Sequence, residues 1–334
     1  MTAHHDAVHD DAARRAPGTV LPTSVSDAAR RYLTGLAEAR AAGPRAAYPA
    51  PGDLDGWLRH VADVDVWFRS AVLRDGPPAE GSERDVAGVT THVVAAGRAE
   101  DDGPVVLDLH GGALLYGAGA VCRASAASVA STTGLVAWGV DYRMPPLHPY
   151  PAALDDATTV YRALLAERDP RDVVVAGGSA GGNLAAALLL RAKDEGLPMP
   201  AALLLLTPEV DLTESGDSFV TNAAHDVALA SLREVNALYA AGADLAHPYL
   251  SPLFGDLAGF PPTFLQSGTR DLFLSNTVRM HRRLRAAGVE AELHVFEGMP
   301  HGGFGGEAPE DAELSAEVRR FVLGALAASR RTSC

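Results

Sequence analysis

Six short apolar runs, Val105 to Leu109, Leu135 to Val140, Val173 to Ala176, Ala202 to Leu206, Thr263 to Gln266 and Ala291 to Phe296, alternate along this chain with longer stretches of helical period. A run that is apolar at nearly every position suits a strand covered on both faces, and the alternation predicts a mostly parallel sheet flanked by helices, an α/β fold. The last helical stretch places Leu314, Val318, Phe321, Val322 and Ala325 on one stripe, with its charges opposite, and should pack on that sheet. Upstream, Leu54, Trp57, Leu58, Val61, Val64, Phe68 and Val72 recur at steps of three and four, after a shorter helix around Leu33, Leu36 and Ala37. Leu73 to Gly88 collects glycines, prolines and charges and reads as a linker. The expected division is therefore 1–80, cap helices and linker, and 81–334, the core. At 334 residues either a capped domain or two ordinary ones could bury a sizeable core.

Composition narrows the partners. A formal charge of −14 argues against broad contact with nucleic acid. No run reaches the length of a transmembrane helix, the first residues lack the apolar stretch of a secretory signal, and a cytoplasmic protein is expected. Cys122 and Cys334 lie far apart, so no structural disulfide is expected, and His4, His5 and His9 sit in a polar terminus to which no function is assigned. Asp108 interrupts an apolar run. A carboxylate there should meet an arginine or backbone donors, since an unpaired buried charge is costly.

The strongest chemical signal is the stretch from Val173 to Asn183, where Val-Val-Val-Ala breaks into Gly177-Gly178-Ser179-Ala180-Gly181 and continues as a small-residue helix. A serine on a sharp strand-to-helix turn needs small neighbours, and its hydroxyl then stands at a helix N-terminus where the Ala180 N–H faces a developing oxyanion. Upstream, the first apolar run ends in His110-Gly111-Gly112-Ala113, whose glycines leave backbone donors free to complete that oxyanion hole, with His110 fixing the loop.

A serine nucleophile needs an imidazole base oriented by a carboxylate, in the order Ser, Asp or Glu, His. His301 qualifies because it follows the last apolar run in a glycine-rich turn. Other histidines lie upstream of Ser179, in a cap segment as His225 and His247 do, or on helical or strand-like stretches as His281 and His294 do. Asp211 and Asp271 each follow a strand. Asp271 is the better candidate for the acid, whereas Asp211 could cap a helix beginning near Leu212. Glu209, at another strand end on the same side, is expected to bind substrate, against the alternative of a solvated or arginine-paired glutamate.

From Val105 to Phe304 the chain resembles the hormonesensitive-lipase-like, or bacterial family IV, esterases of the α/β-hydrolase fold. The resemblance rests on the HGG loop at 110–112, on Asp141 to Ala153, which is similar to that family's DYRLAPEHPFPAA, on GGSAGGN at the serine, and on Gly298 to Phe304, which matches its GMPHGF with one extra glycine. It implies a triad of Ser179, Asp271 and His301, oxyanion donors at Gly111, Gly112 and Ala180, and a lid built from the N-terminal helices and a segment near 212–248. Three positions depart from the pattern: Gly178 for an aspartate, Ala113 for a glycine and Leu147 for a glutamate. The stretch Asp211-Leu212-Thr213 followed by Ser215-Gly216-Asp217 is most similar to lactone hydrolases acting on terpene-derived rings.

The function expected is cleavage of a small-molecule ester or lactone through an acyl-enzyme, with no metal or organic cofactor. Amide cleavage, acyl transfer or elimination would use the same oxyanion hole, and a non-catalytic binding protein of the same fold is a third class. The motifs leave acyl and alcohol size open, and subunit number too, a homodimer included.

Overall fold

The computed structural model describes residues 21–41, 47–73, 80–95, 97 and 102–331. In chain order the main elements are α1 (Asp27–Ala41), α2 (Leu54–Val72), β1 (Gly81–Val86), β2 (Val89–Val94), β3 (Val105–Leu109), α3 (Ala120–Thr133), β4 (Val136–Val140), α4 (Ala152–Glu167), β5 (Val173–Gly178), α5 (Ala180–Asp194), β6 (Ala202–Leu206), α6 (Ser218–Thr221), α7 (Arg233–Ala240), β7 (Thr263–Gly268), α8 (Leu274–Ala286), β8 (Ala291–Phe296) and α9 (Pro309–Arg331). The eight strands form one sheet in the order β1-β2-β4-β3-β5-β6-β7-β8. It is antiparallel at β1-β2-β4 and parallel from β4 to β8.

Burial on both faces explains the unbroken apolar strands. On β3, Val105, Leu107 and Leu109 join a core shared with Leu154 and Val160 of α4 and with Leu184 and Leu188 of α5. Val106 faces the opposite layer, where Val318, Phe321 and Val322 of α9 pack against Val174, Leu204 and Phe264. Side chains alternate along a strand, so Asp108 shares the face of Val106. The sheet, the closing helix and the alternation all match the expected α/β-hydrolase architecture.

Two local expectations need correcting, and the two N-terminal helices need distinguishing. The segment read as a linker as far as Gly88 contains β1 and the turn into β2. Only Val86 of β1 is buried, so no hydrophobic alternation marks the strand. Backbone pairing to β2 holds it, with the Arg84 guanidinium 4.4 Å above the Trp138 ring, and its charges suit a sheet edge. No helix begins at Leu212. The Asp211 carboxylate instead gathers the N–H and hydroxyl groups of Thr213 and Ser215, and Arg279 reaches it at 2.7 Å. Finally, the two N-terminal helices do different work. Val25, Ala29 and Leu33 of the α1 region pack on Met299 and Phe304, either side of His301, whereas Phe68 and Val72 of α2 line the cavity that holds Ser179.

Cys122 is a buried free thiol, and Cys334, His4, His5 and His9 lie outside the described residues. Among the described residues no helix is long and apolar enough to cross a membrane.

Candidate active site

The turn at the end of β5 is set by backbone crowding. A Cβ on Gly177 would lie 2.1 Å from the Gly181 carbonyl oxygen, and one on Gly181 only 1.8 Å from that of Leu109. Glycine is therefore required where β5, α5 and β3 meet. Ser179 itself is held at φ 56° and ψ −122°, a conformation unfavourable for any residue with a Cβ, and its N–H donates to the Leu206 carbonyl at 2.8 Å.

The loops after β7 and β8 bring the other two groups to the serine. His301 Nε2 lies 2.9 Å from Ser179 Oγ, and His301 Nδ1 lies 3.0 Å from Asp271 Oδ1. Asp271 is fully buried. Its Oδ2 accepts from the Ser267 hydroxyl at 2.6 Å and its Oδ1 from the Phe273 N–H at 2.9 Å, so two donors besides the imidazole fix the carboxylate. The Phe273 ring meets the imidazole edge-on, with centroids 4.8 Å apart. Burial pulls the His301 pKa down, but the negative charge and hydrogen bond of Asp271, with Asp226 and Glu209 nearby, outweigh it and leave the imidazole above its ordinary value.

Gly111 follows β3 with almost no clearance. A Cβ there would lie 3.1 Å from the Gly178 oxygen and 3.5 Å from Ser179 Cβ, so its backbone borders Ser179 directly. Gly112 has φ 126°, and a Cβ on it would strike the Tyr116 oxygen at 2.1 Å. The His110 ring stacks on Tyr142 with centroids 4.1 Å apart, its Nδ1 lies 2.8 Å from the Gly111 oxygen, and the Tyr142 hydroxyl donates to the His110 carbonyl. These contacts steady the loop. Asp141 accepts from the Gly119 N–H, and Arg143 grips Asp156 with a two-pronged contact, which accounts for that sequence block. Leu147, where the resembling esterases carry a glutamate, is exposed.

A cavity of about 410 Å³ opens at Ser179, Gly111 and His301. Glu209 is not among its lining residues. Its carboxyl is completely buried, accepts from Asn236 at 2.9 Å and has no arginine partner; Oε2 is unpaired among the described residues. Burial pushes its pKa up to about 8. Asp108 likewise meets neither the arginine nor the backbone donors expected of it, and it does line the cavity. Sequence reasoning missed Asn222, which donates to the carbonyls of Thr269 and Asp271, and Asp226, whose carboxylate takes the N–H groups of Ala228, Leu229 and Leu272. No motif marks either one.

Residues 106–304 match the family described as alpha/beta hydrolase fold. An esterase of Acinetobacter venetianus is 35% identical over 228 residues, covering 65% of this chain and 74% of its own. An acetyl-hydrolase of Streptomyces hygroscopicus is 35% identical over 206 residues, 61% of this chain and 69% of its own. Among solved structures, an esterase of the bacterial hormone-sensitive lipase family superposes with a TM-score of 0.78 at 32% identity, over 91% of this chain and all of its own. The chain belongs to the alpha/beta hydrolase fold family, within its hormone-sensitive-lipase-like esterases. It is a carboxylic ester hydrolase.

Two pH effects follow from these surroundings. A base must be neutral to accept a proton, so with His301 in that role its raised pKa means that kcat/KM should fall on the acid side with a midpoint above 6.5. Asp271→Asn should lower that midpoint and cut turnover by about 10⁴; an unmoved limb would exclude His301 as the group observed. For Glu209, the folded pKa of about 8 exceeds the ordinary 4.5, so the unfolded chain releases its proton first as pH rises. Stability should therefore decline from about pH 5 to about pH 8, and Glu209→Gln should flatten the decline by a few degrees in Tm. Melting curves of both proteins across that window would test it.

Proposed function

We propose that the chain cleaves carboxylic esters, lactones included, by transferring the acyl group to Ser179. His301 takes the hydroxyl proton as Ser179 Oγ attacks the carbonyl carbon, and the backbone N–H groups of Gly111, Gly112 and Ala180 hold the resulting oxyanion. Collapse of that intermediate breaks the bond to the alcohol, which leaves with the proton from His301. Water, deprotonated by the same imidazole, then attacks the acyl-enzyme and releases the acid. Asp271 keeps the imidazole in the required tautomer and offsets its charge. With a lactone the alcohol and the acid are the two ends of one product.

The observation that carries this reading is the continuous hydrogen-bonded series Ser179 Oγ, His301, Asp271, at 2.9 and 3.0 Å. Lactones enter through the resemblance at 211–217. Within this reading α2, through Phe68 and Val72, acts as the lid over one wall of the cavity. The segment near 212–248 contributes in a different way, since Asn222 and Asp226 brace the loop of Asp271.

Ser179→Ala should lose ester cleavage by on the order of a millionfold while keeping its Tm within a few degrees. An alkyl phosphonate should label Ser179, as read by peptide mass spectrometry; a label on another serine would defeat the assignment. Phe68→Ala, assayed on p-nitrophenyl esters from acetate to octanoate, should change the chain-length preference several-fold. An unaltered preference would remove α2 from the substrate path.

A further inference from the structure

The cavity does not stop at the nucleophile. From Gly111, Ser179 and His301 it continues between α3 and α9 to the sheet face, where Asp108, Ser125 and Gln266 form part of its wall. Asp108 pairs in register with Ala176, three residues before Ser179. At ~3.3 Å per strand residue the carboxyl lies roughly 10 Å from the nucleophile, within reach of a medium-length chain attached to the reacting ester.

Two independent features mark this floor. Asp108 is only 2% exposed, and its Oδ2 has no hydrogen-bond partner among the described residues. Burial holds its pKa near 7, with the Ser125 hydroxyl the side-chain donor that works against that shift. A buried carboxyl with one oxygen left unpartnered is costly in an apolar layer. The second feature is Gly178. A Cβ there would meet only the Leu206 carbonyl oxygen within 4 Å, at an ordinary contact distance of 3.7 Å, so the backbone leaves room for a side chain that this chain does not carry. Gly178 and Leu206 both line the cavity. The cavity at Ser179 is thus also walled by an acid with one unpartnered oxygen.

We propose that this floor is a binding subsite for a hydroxyl group carried on one arm of the ester, which passes Gly178 and hydrogen-bonds to Asp108 Oδ2. The inference rests on Ser179 being the nucleophile. A hydroxyl can donate to the ionised carboxyl and accept from the neutral one, so it fits either protonation state. An ammonium would have to be desolvated beside a group that burial disfavours in its charged form. A plain alkyl arm would leave Asp108 Oδ2 without a partner, as it is in the free protein. The substrate class is therefore esters of medium-length hydroxy acids or diols, in preference to their alkyl counterparts.

Matched pairs test this and tell the two arms apart. For the acyl arm the pair is p-nitrophenyl hexanoate and its terminal-hydroxy analogue; for the alcohol arm it is hexyl acetate and its terminal-hydroxy analogue. Wild type should favour the hydroxylated member of one pair by about tenfold in kcat/KM, and Asp108→Leu should bring that ratio close to unity. Asp108→Leu should also melt higher than wild type, because it removes an unpaired buried acid; a residue with a merely structural role would lower Tm when replaced. Gly178→Leu, which fills the room at that position and leaves Asp108 in place, should abolish the same preference and provides a second route to the answer if the first variant does not fold. Equal rates within both pairs, or a preference that survives either substitution, would overturn the subsite. p-Nitrophenyl acetate, too short to reach Asp108, reports the chemistry at Ser179 separately. If wild type fails to cleave it, the nucleophile assignment falls and takes the subsite with it; if it is cleaved while both pairs stay level, only the subsite falls.

Discussion

The approach of the Gly181 backbone to the Leu109 carbonyl is the contact on which the site depends. With room for no Cβ between them, the first turn of α5 lies directly against the end of β3. Beside that crossing, Gly111 at the end of the same strand lies against Gly178 and Ser179. Had Gly181 a side chain, helix and strand would have to separate by a sizeable fraction of an atomic diameter. The strain in Ser179 is held by the same geometry, since its N–H and carbonyl are tied to Leu206 and Glu209 on the neighbouring strand end.

Around this point the acids sort by how many donors they find. Asp271 receives three, from His301, Ser267 and Phe273, and so can be both buried and oriented. Glu209 and Asp108 are just as buried with far fewer donors, and the burial keeps their protons on to about pH 8 and about pH 7.

Much of this was legible in the residues. Strands buried on both faces are written as apolar runs, and the bounds of β3, β6 and β8 coincide with the runs read from the sequence. The site's glycines were readable because steric exclusion admits no substitute. Other features were hidden for physical reasons. β1 is an exposed edge whose pairing belongs to its backbone, so GSERDV carries no periodic signal. The surroundings of Glu209 depend on Asn236, 27 positions away, and no local pattern encodes such a pairing. Asp211 follows a strand just as Asp271 does. Only the structure shows that its oxygens are already committed, to Thr213, Ser215 and Arg279.

The packing of α1 on the loop of His301 ties the two ends of the chain together. Ser26 donates its N–H and its hydroxyl to Glu310 of α9, and Pro22 and Val25 sit against Gly298, three residues before the histidine. The imidazole thus rides on a loop clasped by the earliest described helix and the last one. The position of His301 therefore depends on a contact between residues 284 positions apart, and a chain whose clasp is loosened could keep every strand of the sheet paired and still leave the imidazole unplaced.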